Sequence, residues 1–406
     1  MERDIVYSAI FELMLSCGPR LVYGSGLPAM QEGAPPEVHF ESCVNEKAAY
    51  EMALAGAYAS KRTACLFSVD GVYEALDPLM SSAYTGVKGG FVVVCVKEGS
   101  LDVNPLGPFS KLPVLVSDGA GDDLAAALSF AFDVSERYET PCLLETLPPK
   151  GFFPKAAGKA ATGPSVFVKN HSRWAAIPQF RFKLHKALNE KIERIRGEFE
   201  TYRGNVLTLK GPKGVVTHRA CVDALPKNAS VLALGSVFPL PVGLVSAFID
   251  GREEAAVVEG TYPAIEVQMR GKKLVHGRLR RTEAVSVRFD PEEQEELFGL
   301  AVVRDRLGPA SAINMAHGMA KGGRKKVLAL TDGDAFLQSG LPAFVNTLYN
   351  GSHYLLAIKT KGKSEEIARI LKGFGFGNLF RMSSAGDLPR YADEEQLTVL
   401  FYEGEL

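Results

Sequence analysis

An acidic triplet follows an apolar run near the end of this 406-residue chain. Asp332-Gly333-Asp334 comes directly after residues 327–330, which read Val-Leu-Ala-Leu, and Thr331. Carboxylates that follow a strand offer hard oxygen atoms of the kind that divalent cations bind. A turn after a strand also favours Asp and Gly, so an ordinary turn is the alternative explanation.

Two further candidates lie near the N-terminus. Glu46 stands at the start of residues 45–60, which carry Ala, Leu and Met at helical spacing. A carboxylate at a helix start is stabilised by the helix macrodipole, and this is its purely structural explanation. The turn Gly24-Ser25-Gly26 follows the first predicted strand, and parallel sheets place ligands at the carboxyl ends of their strands. This turn either lines a ligand cleft or is a plain turn.

Alternating strands and helices must position these residues. Strand patterns at residues 21–23, 63–69, 90–96, 113–116 and 142–146 alternate with helical patterns at residues 45–60 and 122–138. This alternation predicts an α/β protein in which helices cover both faces of a parallel sheet.

The composition divides the chain into four parts. Residues 148–163 are rich in Pro, Gly, Lys and Ala without apolar periodicity, which is typical of a linker, so we predict that a first domain spans residues 1–163. A linker and connector helix, a small α/β domain and a second layered domain follow at residues 164–203, 204–275 and 276–406. In the small domain we predict a helix at residues 216–225.

Charge and cysteine usage exclude several classes of protein. The formal charge is -1, so the chain lacks the basic field that nucleic acids select. None of the six cysteines forms a CxxC motif with another, and we therefore expect reduced thiols and no iron–sulfur cluster on this chain. The N-terminus does not have the pattern of a signal peptide, and no apolar run reaches membrane-spanning length. We expect a cytoplasmic protein without membrane or nucleic-acid partners.

Longer segments add specific information over nearly the whole chain, apart from a shortened stretch at residues 272–306. They are Val44-Asn45-Glu46-Lys47, Asp77-Pro78-Leu79-Met80, Arg173-Trp174 and residues 83–90, 235–241, 257–259, 332–336, 339–343 and 348–350. Together they resemble the α subunit of the indolepyruvate:ferredoxin oxidoreductase family. The resemblance implies a thiamine-diphosphate-binding fold, with a pyrimidine-binding-like domain first, a shortened diphosphate-binding-like domain last and the small α/β domain between them.

The resemblance also implies a chemistry. Members of the family decarboxylate an aryl 2-oxoacid oxidatively, form an acyl-CoA and pass the electrons to iron–sulfur clusters. The family's catalytic glutamate matches Glu46, whose carboxyl group would hydrogen-bond the aminopyrimidine ring of thiamine diphosphate and favour its imino tautomer. The family's Mg²⁺-binding aspartate matches Asp332. With these two, the candidate cofactor-binding positions of the chain are Gly24, Ser25, Gly26, Thr331, Gly333, Asp334 and Lys361.

The chain departs from the family at several of these positions. Lys361 falls at or near the position of the second metal ligand, an asparagine, and an ammonium group cannot bind Mg²⁺. Thr331 replaces a glycine, Ser68-Val69 replaces a Lys-His pair, the loop that closes over the diphosphate is missing, and no Cys-Pro-Gly-Cys-Pro-His segment precedes Leu307. We expect Asp332 to pair with Lys361. Lys359, Lys361 and Lys363 either replace Mg²⁺ as countercharge or form a solvated loop.

Two functions remain open from the sequence. In the first, the chain is an enzyme subunit that binds thiamine diphosphate, processes a 2-oxoacid and passes electrons to a separate cluster-bearing chain. In the second, it is a non-catalytic structural or regulatory subunit of a redox complex that no longer binds the cofactor. For either function we expect a homodimer or a larger complex that contains two copies.

Overall fold

The computed structural model describes residues 2–99, 101–150, 167, 169–174, 177–225, 228–260, 262–269, 296–305, 308–323, 326–392, 394 and 396–405. The chain divides into two compact units, residues 1–284 and 285–406. Residues 151–163 of the predicted linker and the predicted domain boundary at residue 275 lie outside the described residues. The four-part division stays a prediction.

A parallel sheet forms the centre of the first unit. Its strands are buried and rich in β-branched residues, as expected when helices cover both faces. The elements are α1 (Glu2–Ser16), β1 (Leu21–Ser25), α2 (Pro28–Gly33), β2 (His39–Cys43), α3 (Glu46–Tyr58), β3 (Thr63–Ser68), α4 (Val69–Glu74), α5 (Leu76–Thr85), β4 (Phe91–Val96), α6 (Leu106–Ser110), β5 (Val114–Ser117), α7 (Gly121–Tyr138) and β6 (Cys142–Thr146).

A smaller sheet lies in the same unit. The elements are α8 (His171–Trp174), the connector helix α9 (Pro178–Phe199), β7 (Val206–Thr208), β8 (Lys213–His218), β9 (Ser230–Leu234), β10 (Ser236–Phe238), α10 (Val242–Asp250) and β11 (Glu254–Val258). The strand order of this sheet is β11-β8-β9-β7. The predicted helix at residues 216–225 is wrong: strand β8 and a 3₁₀ segment, Arg219–Ala224, occupy this stretch. The run Val215-Val216-Thr217 is β-branched and pairs in parallel with both β9 and β11.

Strand β10 connects the two sheets of the first unit along the chain. It follows β9 of the small sheet directly, but it belongs to the larger sheet, where it pairs antiparallel with β5 so that Ser236 is opposite Leu115 and Phe238 is opposite Val114. The order of the larger sheet is therefore β10-β5-β6-β4-β3-β1-β2. Gly107 lies against this strand, because a Cβ at that position would come within 2.5 Å of the Phe238 Cβ.

The second unit has one further sheet, parallel except for its first strand, with the order β12-β13-β14-β15-β17-β16. Its elements are β12 (Glu296–Leu297), β13 (Leu300–Arg304), α11 (Ser311–Lys321), β14 (Val327–Asp332), α12 (Gly333–Ala335), a π-helical turn (Phe336–Gly340), α13 (Leu341–Asn350), β15 (Leu355–Lys359), α14 (Ser364–Gly373), β16 (Leu379–Arg381) and β17 (Thr398–Tyr402). The predicted α/β fold class is confirmed. No helix in the described part of the chain is long and apolar enough to cross a bilayer.

Candidate functional site

Glu46 lies at the carboxyl edge of the large sheet, where α3 begins. The Asn45 side chain caps this helix, because its Oδ1 accepts a hydrogen bond from the Ala48 amide at 2.8 Å. Strand β2 ends at Cys43, so the cap places Glu46 in the first helical turn just beyond the end of the strand. Glu46 is only 7% exposed.

Gly71 in α4 makes room for the Glu46 carboxyl group. A Cβ atom at position 71 would lie 2.7 Å from the Glu46 Cγ and 2.8 Å from its Oε1. The Gly71 amide donates a hydrogen bond to the Ser68 Oγ at 3.2 Å, which fixes the start of α4. A larger residue at position 71 would push the carboxyl group away. The sequence analysis missed Gly71, and its only signal was the glycine itself.

The charge of Glu46 acts on its neighbours. Burial and then the Glu46 carboxylate raise the pKa of Glu74 above its usual value. Burial, Glu41 and Glu46 together raise the pKa of the Cys43 thiol to about 11. This edge of the sheet therefore disfavours a second anion beside Glu46.

The turn Gly24-Ser25-Gly26 lies at the same edge, because β1 and β2 run in parallel with Ser25 opposite Cys43. Gly26 has a φ of +67°, which a glycine adopts without strain. The next amide, Leu27, donates a hydrogen bond to the Ser42 Oγ at 2.9 Å. The turn therefore has a structural role that requires no ligand.

Asp332 lies at the end of β14 in the second unit. Its Oδ1 accepts a hydrogen bond from the Ala335 amide at 2.8 Å and so caps the following turn. Burial raises the pKa of Asp332, but the Ala335 amide and Lys361 outweigh it and hold this pKa below its usual value. The neighbouring Thr331 hydroxyl donates to the Asp305 Oδ2 at 2.6 Å, and Asp305 also accepts from the Ala312 amide at 2.9 Å. Thr331 therefore supports the start of α11.

The expected pair between Lys361 and Asp332 is present. The Lys361 Nζ lies 3.3 Å from the Asp332 Oδ2 and 3.8 Å from the Asp334 Oδ2. Lys363 forms a further ion pair with the Asp334 Oδ1. The two oxygens of Asp332 thus contact an amide and an ammonium group.

These residues do not fit a Mg²⁺ ion. Mg²⁺ requires oxygen ligands in near-octahedral geometry, whereas a cation already contacts Asp332. Across the described ranges, no group of three or more His, Cys, Asp and Glu side chains is arranged to hold a metal ion. Asp332 alone supplies no metal site.

Another buried carboxyl group of the first unit, Glu145, was missed from the sequence. Glu145, on β6, is fully buried, and its Oε2 accepts a hydrogen bond from the Val103 amide at 2.7 Å. Burial raises the pKa of Glu145 to about 7; nearby Asp102 raises it further, and Lys97 opposes the shift. The Lys97 Nζ lies 3.9 Å from the Asp102 Oδ2. Glu145 is 42 residues from Val103 in the sequence, and the pairing of β4 with β6 brings the two regions together.

The fold is that of the thiamine-diphosphate-dependent enzymes. Among solved structures, a 2-oxoglutarate:ferredoxin oxidoreductase from Magnetococcus marinus is similar, with a TM-score of 0.51 and 13% identity over 67% of this chain and 60% of the other. In sequence, the chain is similar to curated proteins named for indolepyruvate oxidoreductase, in agreement with the resemblance noted from the sequence motifs.

The curated relatives carry the name indolepyruvate oxidoreductase subunit IorA. The protein from Pyrococcus abyssi is 25% identical over 79% of this chain and 67% of its own length. The protein from Archaeoglobus fulgidus is 24% identical over 79% of this chain and 66% of its own length. The chain thus spans about two thirds of these relatives. No protein-family model matches it.

Proposed function

We propose that this chain is the thiamine-fold subunit of a 2-oxoacid:ferredoxin oxidoreductase complex and that it acts on an aryl pyruvate such as indolepyruvate. The observation that carries the proposal is the placement of Glu46, buried over Gly71 at the carboxyl edge of a parallel sheet. The names of the curated relatives support the substrate class.

Glu46 would hold the aminopyrimidine end of thiamine diphosphate. When bound, this cofactor would supply the nucleophile and the electron sink for decarboxylation of a 2-oxoacid. The chain would contribute the buried Glu46 carboxyl group, which would share a proton with a ring nitrogen. Gly71 keeps this carboxyl group in place, because a side chain there would overlap it.

Electrons would leave through a different chain. The described cysteines are free and scattered, and three of them, Cys65, Cys95 and Cys142, are buried in strands. We therefore place the iron–sulfur clusters on separate subunits of a cytoplasmic complex. This complex would contain at least two copies of the present chain.

A second candidate function is favoured by the Asp332–Lys361 contact. Since the ammonium group takes the place of a metal ligand, the chain would be a structural or regulatory subunit of a redox complex that does not bind the cofactor. In this second candidate function, the fold and the contacts to other subunits are retained, and Glu46 has no catalytic role.

Calorimetric titration with thiamine diphosphate, with and without Mg²⁺, separates the two candidates. The first predicts saturable binding in the micromolar range that is weakened at least tenfold in a Glu46→Gln variant. Glu51→Gln is the matched control, because Glu51 lies in the same helix but is exposed. Absence of binding heat at millimolar cofactor would eliminate the first candidate.

A further inference from the structure

Four charged side chains form an alternating cluster at the carboxyl edge of the sheet in the second unit. Lys361 lies between Asp332, at 3.3 Å, and Asp334, at 3.8 Å, and Lys363 contacts Asp334 from the other side. Two carboxylates and two ammonium groups give the cluster a net charge of zero. The acidic triplet is therefore already neutralised by the chain itself.

The backbone holds Lys361 in this position. Strands β14 and β15 are in register with Asp332 opposite Lys359, so the turn after β15 lies beside the end of β14. This turn is closed by a hydrogen bond from the Lys363 amide to the Thr360 carbonyl at 2.8 Å. Its central residues, Lys361 and Gly362, have φ values of +47° and +84°, the sign pattern of a type I′ turn.

Glu403, which directly follows the neighbouring strand β17, stabilises the same turn. Its carboxylate accepts hydrogen bonds from the Thr360 hydroxyl and, at 3.2 Å, from the Gly362 amide. The Thr360 hydroxyl and this amide lower the pKa of Glu403. A lysine in a left-handed conformation is unusual, and three independent contacts maintain it here. These contacts distinguish the turn from a free, solvated lysine loop.

We propose that the Lys361 ammonium group takes the place of a divalent cation beside Asp332, so that this edge of the second unit meets an anionic group without Mg²⁺. A metal bound at the Asp332 Oδ2 would lie within a few ångströms of the ammonium group, and the two cations repel each other. An anionic group at this edge would then meet an ammonium group instead of a metal ion.

This inference uses the proposed function only for the identity of the anion, and its test needs neither the cofactor nor any activity. The probe is Mn²⁺ alone, added to the full-length protein and followed by the loss of the free-ion signal in electron paramagnetic resonance. The variant is Lys361→Asn. Asparagine tolerates a positive φ better than lysine does, and its amide oxygen is a hard ligand, so the variant should keep the turn and open a metal site.

The expected result is that the wild-type protein binds no stoichiometric Mn²⁺ at 100 μM, roughly the range of ordinary weak sites. Lys361→Asn should bind one ion at least about tenfold more tightly than wild type, because a unit charge has left the contact. Lys363→Asn is the matched control. It removes the same charge from the same cluster but leaves the Asp332–Lys361 contact intact, so no site should appear.

Two outcomes would overturn the proposal. One is stoichiometric Mn²⁺ binding by the wild-type protein that is lost in Asp332→Asn, since the metal would then coexist with Lys361. The other is a Lys361→Asn variant that keeps its circular dichroism spectrum and melting temperature but binds no more Mn²⁺ than wild type. In that case the ammonium group is not what excludes the metal. Neither outcome bears on whether the Glu46 site binds thiamine diphosphate.

Discussion

Replacing Glu145 with glutamine should change how the stability of the first unit depends on pH. Glu145 is fully buried, and burial, with a smaller contribution from Asp102, raises its pKa from 4.5 to about 7. The folded protein therefore keeps a proton on Glu145 that the unfolded chain releases above pH 4.5. This contribution to stability is fully present below pH 4.5 and is lost as the pH rises to about 7.

The size of the effect follows from the shift. Each pH unit of displacement is worth about 1.4 kcal/mol, so Glu145 should lower the free energy of unfolding by about 3 kcal/mol between pH 4.5 and pH 8. Glutamine resembles the protonated acid and cannot ionise, and its carbonyl can still accept the hydrogen bond from the Val103 amide. Glu145→Gln should therefore match wild type near pH 4.5 and exceed its stability by about 3 kcal/mol at pH 8.

Urea unfolding at half-unit steps from pH 4.5 to pH 8.5 measures this difference. Fluorescence and circular dichroism should both be recorded, so that transitions of the two units can be separated. Glu51→Gln provides the control, since it makes the same substitution at an exposed position, where the effect on stability should be small. A stability difference between Glu145→Gln and wild type that stays constant across this range would refute the reasoning.

Three further outcomes are expected. Burial, and to a smaller extent Lys97, lower the pKa of His218 from 6.5 to about 4, so the wild-type protein should lose stability as the pH falls through this range. In urea unfolding at each pH, the His218→Asn variant should lack about 3 kcal/mol of this loss. Light scattering at micromolar protein should give the mass of a homodimer or a larger complex, and a monodisperse monomer would contradict the proposed assembly. The purified chain should be colourless near 400 nm, and analysis for iron and acid-labile sulfide should find neither in stoichiometric amount.

Much of the fold could be predicted from the pattern of residues. The strands at residues 63–69, 90–96 and 142–146 are short, apolar and bounded by turns, and they coincide with β3, β4 and β6 within two residues. The helix predicted at residues 216–225 failed because apolar residues at helical spacing there come from two different elements. Residues 216–218 are in strand β8 and residues 219–224 are in a 3₁₀ segment. Pairing on both sides of β8 outweighed the local pattern.

Some contacts of the candidate site could be predicted from the sequence and others could not. The pairing of Asp332 with Lys361 could be predicted, because each follows one of two neighbouring parallel strands and register alone brings them together. The contact between Glu46 and Gly71 could not be predicted, because it depends on how closely α3 and α4 pack. The surroundings of Glu145 could not be predicted either, because only the order of the strands brings Val103 and Lys97 close to it.

The pairing of β10 with β5 bears on how the chain can be cut into fragments. A fragment that stops at the end of the connector helix would lose residues 236–238 and leave one side of β5 uncovered. Residues 114–116 read Val-Leu-Val, and an unpaired apolar edge of this kind recruits strands from other molecules. A fragment that contains the larger sheet should therefore remain free of aggregation only if it extends to about residue 269. Such a fragment keeps the Gln268 side chain, which hydrogen-bonds the backbone of Val237 and Leu240.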